Sequence, residues 1–324
     1  MNTFDALLVV SFGGPEKRED VIPFLENVLR GKNVPRERML EVAEHYYHFD
    51  GRSPINQQNR ALITALEADF VANGVNVPIY WGNRNWHPLL PDTLRKMQVD
   101  GVRRAAALAT SAFGSYSGCR QYRENVAAAL YSGGLNDLSI EKLPNFSDRP
   151  EFVAVMTDRV RDAMIQVPDV QQLIFTAHSI PMTMAESSPY VQQLKTSCAS
   201  VAQQAGISNW VLVYQSRSGP PTQPWLEPDI CHHLRQQHAA GVDRAIICPI
   251  GFISDHMEVL YDLDTEARSL CDELGIKMAR AGTAGVHPLL VSMVRDMFLN
   301  GITSPILAHC EPGCCPAPQR PARP

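Results

Sequence analysis

Apolar residues fall into two kinds of run along this chain. Continuous stretches of strand length, ALLVVSF (6–12), VPIYWG (77–82), RAAALATSA (104–112), QLIFTAHS (172–179), WVLVYQS (210–216) and RAIICPIGF (244–252), show no alternation of polar and apolar positions. Such runs suit strands covered on both faces, the setting of a parallel sheet. Between them lie stretches of amphipathic helical spacing: 21–31, 56–74, 91–101, 149–166 and 189–206. The alternation of strand and helix predicts the α/β class.

A weak internal repeat sharpens this. Residues 77–113 and 210–252 both run strand, polar turn, Pro-Asp, helix, Gly-Val, Arg-Ala, strand. Pro91-Asp92 aligns with Pro228-Asp229, and Gly101 to Ala105 with Gly241 to Ala245. Generic βαβ likeness explains part of the match. The fuller reading is two similar doubly wound, Rossmann-like parallel-sheet domains facing a cleft, at 1–148 and 149–305, with a Cys/Pro-rich tail at 306–324. The C-terminal helix of the second is expected to pack back on the first. Ligands of such folds sit at the C-terminal ends of strands. SFGGP, TSAFGSYSG, TAHSIP, YQSRSGPP and PIGFISDHMEV all fall there.

The composition of the 324 residues, 45% hydrophobic and 19% charged, is ordinary for a globular protein. A net charge of −5 points away from nucleic acid. No apolar run is long enough for a transmembrane helix. The stretch MNTFDALLVV lacks the marks of a signal peptide, so a cytoplasmic location is expected. There, eight cysteines are thiols or metal ligands rather than disulfides. Cys119, Cys198, Cys231, Cys248 and Cys271 are dispersed; Cys310, Cys314 and Cys315 crowd the tail.

The densest chemistry lies in GFISDHMEVLYDLDTEA (251–267). With Ser254 as the helix cap, Glu258, Asp262 and Glu266 fall on one helical face at four-residue intervals. A solvated acidic face is the ordinary explanation of such a row. Its start at a strand end, and the apolar edge of Met257, Leu260, Tyr261 and Leu263, favour a path for a divalent cation. His256 would lie on another face and orient the site. His178 directly follows a strand; it is either structural or a general base that exchanges protons near neutrality.

FTAHSIP and GFISDHMEVLYDLD closely resemble the two best-known motifs of the ferrochelatases, which insert iron into porphyrins. SFGGPE, GRSPIN, NRNWHP, YQSRSGPPTQPWLEPD and CPIGF fit the same family in order, and the likeness spans residues 4 to 300. LENVLRGKNVP, HYYHFDGRSPIN and YSGCRQY are most similar to the actinobacterial branch, which resembles enzymes that turn coproporphyrin III into coprohaem. The resemblance implies a chelatase-like fold and a lyase that takes Fe²⁺ as substrate, bends the macrocycle and removes two pyrrole protons. It implies a catalytic His178 and a catalytic Glu258 facing it across the ring. These two, with Asp262 and Glu266, would handle metal or protons. By motif position, Arg30, Tyr46, Ser53 and Tyr122 are expected on the propionates, and Phe12, Ile180 and Tyr214 against the ring. Some relatives carry Tyr at the position of Phe12; Phe offers no oxygen to iron.

Many ferrochelatases hold a [2Fe–2S] cluster with one internal and three C-terminal cysteines. Here that implies Cys119, Cys310, Cys314 and Cys315. From the residues alone zinc suits four thiolates equally. The alternatives are a protoporphyrin IX ferrochelatase, a cobalt chelatase of the same fold, and a non-catalytic tetrapyrrole or metal carrier. A monomer that meets other haem-biosynthesis enzymes is the expected state.

Overall fold

The computed structural model describes residues 4–32, 34–220, 222–300 and 313–317. Each long apolar run becomes a parallel strand. β1 (Ala6–Ser11), β2 (Ile79–Asn83), β3 (Arg104–Ala109) and β4 (Ser139–Lys142) form one sheet in the order β2-β1-β3-β4. β5 (Gln172–His178), β6 (Trp210–Gln215), β7 (Arg244–Cys248) and β8 (Lys277–Arg280) form a second in the order β6-β5-β7-β8. The two windings are the same, and every ladder is parallel. The edge strands β4 and β8 escaped the sequence reading because SIEK and KMAR are short and half polar.

The helices are α1 (Val21–Val28), α2 (Arg36–Tyr47), α3 (Ile55–Ala72), α4 (Leu90–Val99), α5 (Gln121–Gly133), α6 (Pro150–Gln166), α7 (Met182–Glu186), α8 (Tyr190–Ala205), α9 (Ile230–Ala239), α10 (Met257–Val259), α11 (Arg268–Leu274) and α12 (Pro288–Leu299). Two π-helical segments interrupt the pattern, Tyr116–Arg120 before α5 and Leu260–Ala267 between α10 and α11. Among the described residues no helix is long and apolar enough to cross a membrane.

Alternation along the strands explains the continuous apolar runs. Leu7, Val9, Ala106 and Leu108 of the first sheet, and Leu173, Phe175 and Ala177 of the second, enter one shared core. Leu66 of α3, Phe152 of α6, Leu194 of α8 and Val294 of α12 fill the same core. The opposite faces are covered separately: Leu8, Val10 and Ala107 meet Leu94 of α4 and Val126 of α5. Ile174 and Ile247 meet Leu234 of α9 and Leu270 of α11. α12 packs on α3 as well as α6. A satellite apolar group joins α1 and α2 through Phe24, Met39 and Tyr46, and Met257 of α10 inserts into it.

The structure repeats as the sequence does, with one change of register. Asn83 N donates to Pro88 O at 2.7 Å, and Tyr214 N donates to Pro228 O at 2.9 Å. Leu89 then caps α4 as Asp229 caps α9. Pro88, not Pro91, is therefore the counterpart of Pro228; Pro91 lies in the first turn of α4, where its missing N–H costs nothing. The second half of the alignment is in register, since Gly101 and Gly241 turn the chain with φ of +85° and +89°.

Phe152 tests the shared core. Its side chain is fully buried, with Phe146 and Phe113 rings at 5.7 and 6.0 Å. Phe152→Ala should cost about 3–5 kcal/mol, read as a lowered urea midpoint. Val99→Ala, at an exposed position of α4, should change stability by less than about 0.5 kcal/mol.

Candidate active site

His178 is the last residue of β5, lifted to the sheet edge by the fully buried run before it. Its Nδ1 lies 2.5 Å from Ser179 O, which orients the ring, and Tyr190 Oη donates to His178 O at 3.1 Å. Its Nε2 sits 3.6 Å from Glu258 Oε2. Gly251 makes room beneath this strand end: a Cβ there would come within 2.7 Å of Ala177 Cα.

The segment that carries Glu258 departs from the expected helix. Its cap is His256, not Ser254: His256 is extended, with φ −145° and ψ −179°, and its Nδ1 accepts from Glu258 N at 3.2 Å. Asp255 cannot join the helix because its N–H goes to Gln58 Oε1 at 2.8 Å and its carboxylate to Arg280 at 3.1 Å. His256 therefore stands before the helix rather than on another of its faces. After one α-helical turn the chain widens into the π-helical segment, a form that recurs at functional sites.

The acidic row survives this change. Asp262 Oδ2 accepts from Ser216 Oγ and, at 3.3 Å, from Gln215 Nε2, which also reaches Glu258 O at 3.3 Å. Glu266 is exposed at the far end. Asp255 and Asp264 do not belong to the row; Arg280 holds both. Among the described residues no three His, Cys, Asp or Glu side chains converge into a metal-holding group. His178, Glu258, Asp262 and Glu266 thus form a chain of stations and not one coordination cage.

Electrostatics grade these stations. Burial works to lower the His178 pKa, but the Glu258 carboxylate outweighs it and the pKa is raised. Burial works to raise the Glu258 pKa, but His178 holds it down at about 2. Each partner thus favours the charged form of the other. Burial, reinforced by the charges of Glu258 and Glu266 against the Ser216 hydrogen bond, pushes Asp262 up to about 7. Burial, then Asp229, raises Glu266 as well.

A flat ring sandwiched between two groups needs about 7 Å, twice a van der Waals contact of about 3.5 Å. His178 and Glu258 stand 3.6 Å apart, about half that spacing.

The other predicted residues are spread around this pair. Tyr46, at the end of α2, is buried beside Phe24, and burial with the Glu258 charge pushes its phenol far up. Ser53 is buried against Gly14, its N–H on Pro15 O at 2.9 Å. Phe12 stacks edgewise on Phe24 and lies under the Arg84 guanidinium, which also covers Tyr122 at 4.8 Å. Arg30 is exposed on the loop after α1. Ile180 and Tyr214 are both 5% exposed and belong to the shared core. Tyr214 points away from the row because strand alternation gives that side to its neighbour Gln215. Sequence reading missed Gln215, Ser216, Arg84 and His45, whose ring stacks on Tyr261 at 3.8 Å. Gln215 and Ser216 stood in the quoted YQSRSGPP motif; His45 carried no signal of its pairing.

Of the cysteines, Cys119 is buried in the first π-helical segment. Arg120 Nη1 donates to Cys314 O at 3.2 Å and Arg123 Nη2 to Cys314 Sγ at 3.3 Å. The neighbours of Cys119 thus hold the segment carrying Cys314 and the buried Cys315. Cys119, Cys314 and Cys315 do not converge into a metal-holding group among the described residues. Cys310 lies outside the described residues.

The family model described as ferrochelatase matches residues 4–301. A ferrochelatase of Rhodopirellula baltica is 57% identical over 295 residues, 90% of this chain and 84% of that protein. The coproporphyrin III ferrochelatase of Streptomyces coelicolor is 48% identical, covering 97% of this chain and 94% of the relative. That of Mycolicibacterium smegmatis is 47% identical, covering 91% and 89%. In fold, the chain is similar to SirB from Bacillus subtilis, solved with Fe³⁺, at a TM-score of 0.57 and 12% identity over 94% of this chain and 97% of that one. CbiX gives 0.53 and 13% over 92% and 99%. With a family match over nearly the whole chain and a chelatase architecture around the His178–Glu258 pair, this protein belongs to the ferrochelatase family.

Proposed function

We propose that this ferrochelatase inserts Fe²⁺ into coproporphyrin III and releases coprohaem and two protons. The observation that carries the mechanism is the direct His178–Glu258 contact at the head of a graded acidic row. Metal insertion must remove two pyrrole protons from the ring. With the macrocycle lying over the pair and bent so that nitrogen lone pairs leave its plane, both side chains reach its nitrogens from one side. Beside Glu258 the imidazole of His178 binds a proton more readily than a free one. Glu258, at about 2, keeps protons poorly, whereas Asp262, at about 7, takes them up near neutrality. Protons that reach Glu258 therefore pass on to Asp262, which holds them more firmly, and leave through exposed Glu266. In its neutral form His178 is the base for the pyrrole nitrogen. The same carboxylates suit a dehydrating divalent cation. Coproporphyrin as substrate rests on the names of the 43–48% identical actinobacterial relatives and on hydroxyls and cations expected at four propionates, Arg30, Tyr46, Ser53 and Tyr122.

We also propose a [2Fe–2S] cluster on Cys119, Cys310, Cys314 and Cys315, which would tie the tail to the body and supply one-electron redox capacity. We read the chain as two domains divided at 148/149, working in the cytoplasm, where thiols stay reduced.

Anaerobic assay of Fe²⁺ insertion should give a higher kcat/KM on coproporphyrin III than on protoporphyrin IX; equal use of both sinks the first preference. His178→Ala should lower kcat by at least about 100-fold while porphyrin still binds, followed by the shift in its visible absorption. Turnover that survives overturns the base assignment.

Asp262 gives a pH test. Its native pKa, about 7, lies above the reference 3.8, so the folded state binds the extra proton between those values. Stability from this group is present at low pH and lost as pH rises through 7. Asp262→Asn should therefore raise Tm relative to the parent more at pH 8 than at pH 5, while slowing turnover. Cys119→Ser should abolish the cluster's visible absorption in anaerobically purified protein; an unchanged spectrum places the internal ligand elsewhere.

A further inference from the structure

Arg280 ends β8 and is 15% exposed, and one guanidinium there holds two carboxylates that flank the site. Nε donates to Asp264 Oδ1 at 2.7 Å, and Nη1 and Nη2 fork onto Asp255 at 3.1 and 3.5 Å. Asp255 immediately precedes the His256 cap, and Asp264 lies two residues beyond Asp262 in the π-helical segment. Glu258 sits between the two anchors. Asp255 is also fastened to the other sheet's layer, since its N–H donates to Gln58 of α3.

We infer that Arg280 is a positioning residue for metal insertion: it clamps both ends of the 256–264 turn and so sets the distance between Glu258 and His178. The physical need is plain. A π-helical stretch rarely runs beyond a single turn, and the contact given for the Glu258 carboxylate is to His178 on another element. β5, which carries His178, is two strands from β8 in the same sheet. Tying the turn to β8 therefore gives His178 and Glu258 one rigid frame. Arg fits this role where Lys does not, because a planar fork spans two carboxylates at fixed angles and an ammonium is a point charge.

This inference rests on the ferrochelatase reading, and a built-in comparison isolates it. Arg295 holds Asp69 and Asp296 at 2.9 and 3.0 Å and is 16% exposed, with none of the three near the site segment. Arg280→Gln and Arg295→Gln should lower Tm alike. Only Arg280→Gln should lower kcat, by about 10- to 100-fold, with KM for porphyrin unchanged. Amide hydrogen exchange in peptides covering 256–267 should quicken by about tenfold in that variant alone. Arg280→Lys should recover part of kcat, and adding Asp264→Asn to Arg280→Gln should cost nothing more. An unchanged kcat, a loss that falls on KM, or equal effects from Arg295→Gln would overturn the clamp. If the parent protein fails to insert iron at all, the function reading falls, and the exchange comparison still decides the clamp.

Discussion

An imidazole and a carboxylate in contact at 3.6 Å, at the open end of a buried parallel sheet, govern everything else in this site. Their mutual charge stabilisation overcomes the desolvation that each would otherwise suffer, raising the pKa of His178 and holding Glu258 near 2. Neither group achieves this alone: a half-buried carboxylate without its imidazolium would drift upward, as Asp262 does. The pair also depends on neighbours that carry no charge. Ser179 O orients the imidazole, Tyr190 fixes the strand end, and Gln215 ties the backbone of Glu258 to β6.

Asp262 shows how one chemical group, the carboxylate, is set to two tasks by surroundings. Glu258 and Asp262 are four positions apart, yet burial beside a cation makes the first a permanent anion, and burial beside anions makes the second titrate near neutrality. A gradient of proton affinity along a single turn follows without any ion present. The wide helical turn keeps the stations in line while Asp255 and Asp264, the carboxylates off the line, are consumed by Arg280.

The scaffold explains why such a turn is tolerated. Two sheets of identical winding share a helical layer of α3, α6, α8 and α12, so the strand ends that bear His178 and Gln215 are fixed by a core that spans both halves. Met257, seated among Phe24, Met39 and Tyr46, anchors the start of the site helix to α1 and α2 by hydrophobic contact. Packing and the Arg280 ion pairs thus hold the segment at both ends.

Fully buried strands announce themselves, because both faces must be apolar. The α/β class, the repeated winding and six of the eight strands were legible in the sequence for that reason. His178, Glu258, Asp262 and Glu266 were legible too, since motif and spacing mark them. Short polar edge strands lacked that signature, and a Pro-Asp match misled by three residues where only the backbone hydrogen bond of Pro88 could correct it. The cap at His256, the widening of the turn and the diversion of Asp255 and Asp264 to Arg280 arise between segments distant along the chain. So does the contact between His178 and Glu258. Local sequence carries propensity and period; which carboxylate meets which cation is a matter of three-dimensional distance, and only the tertiary structure decides it.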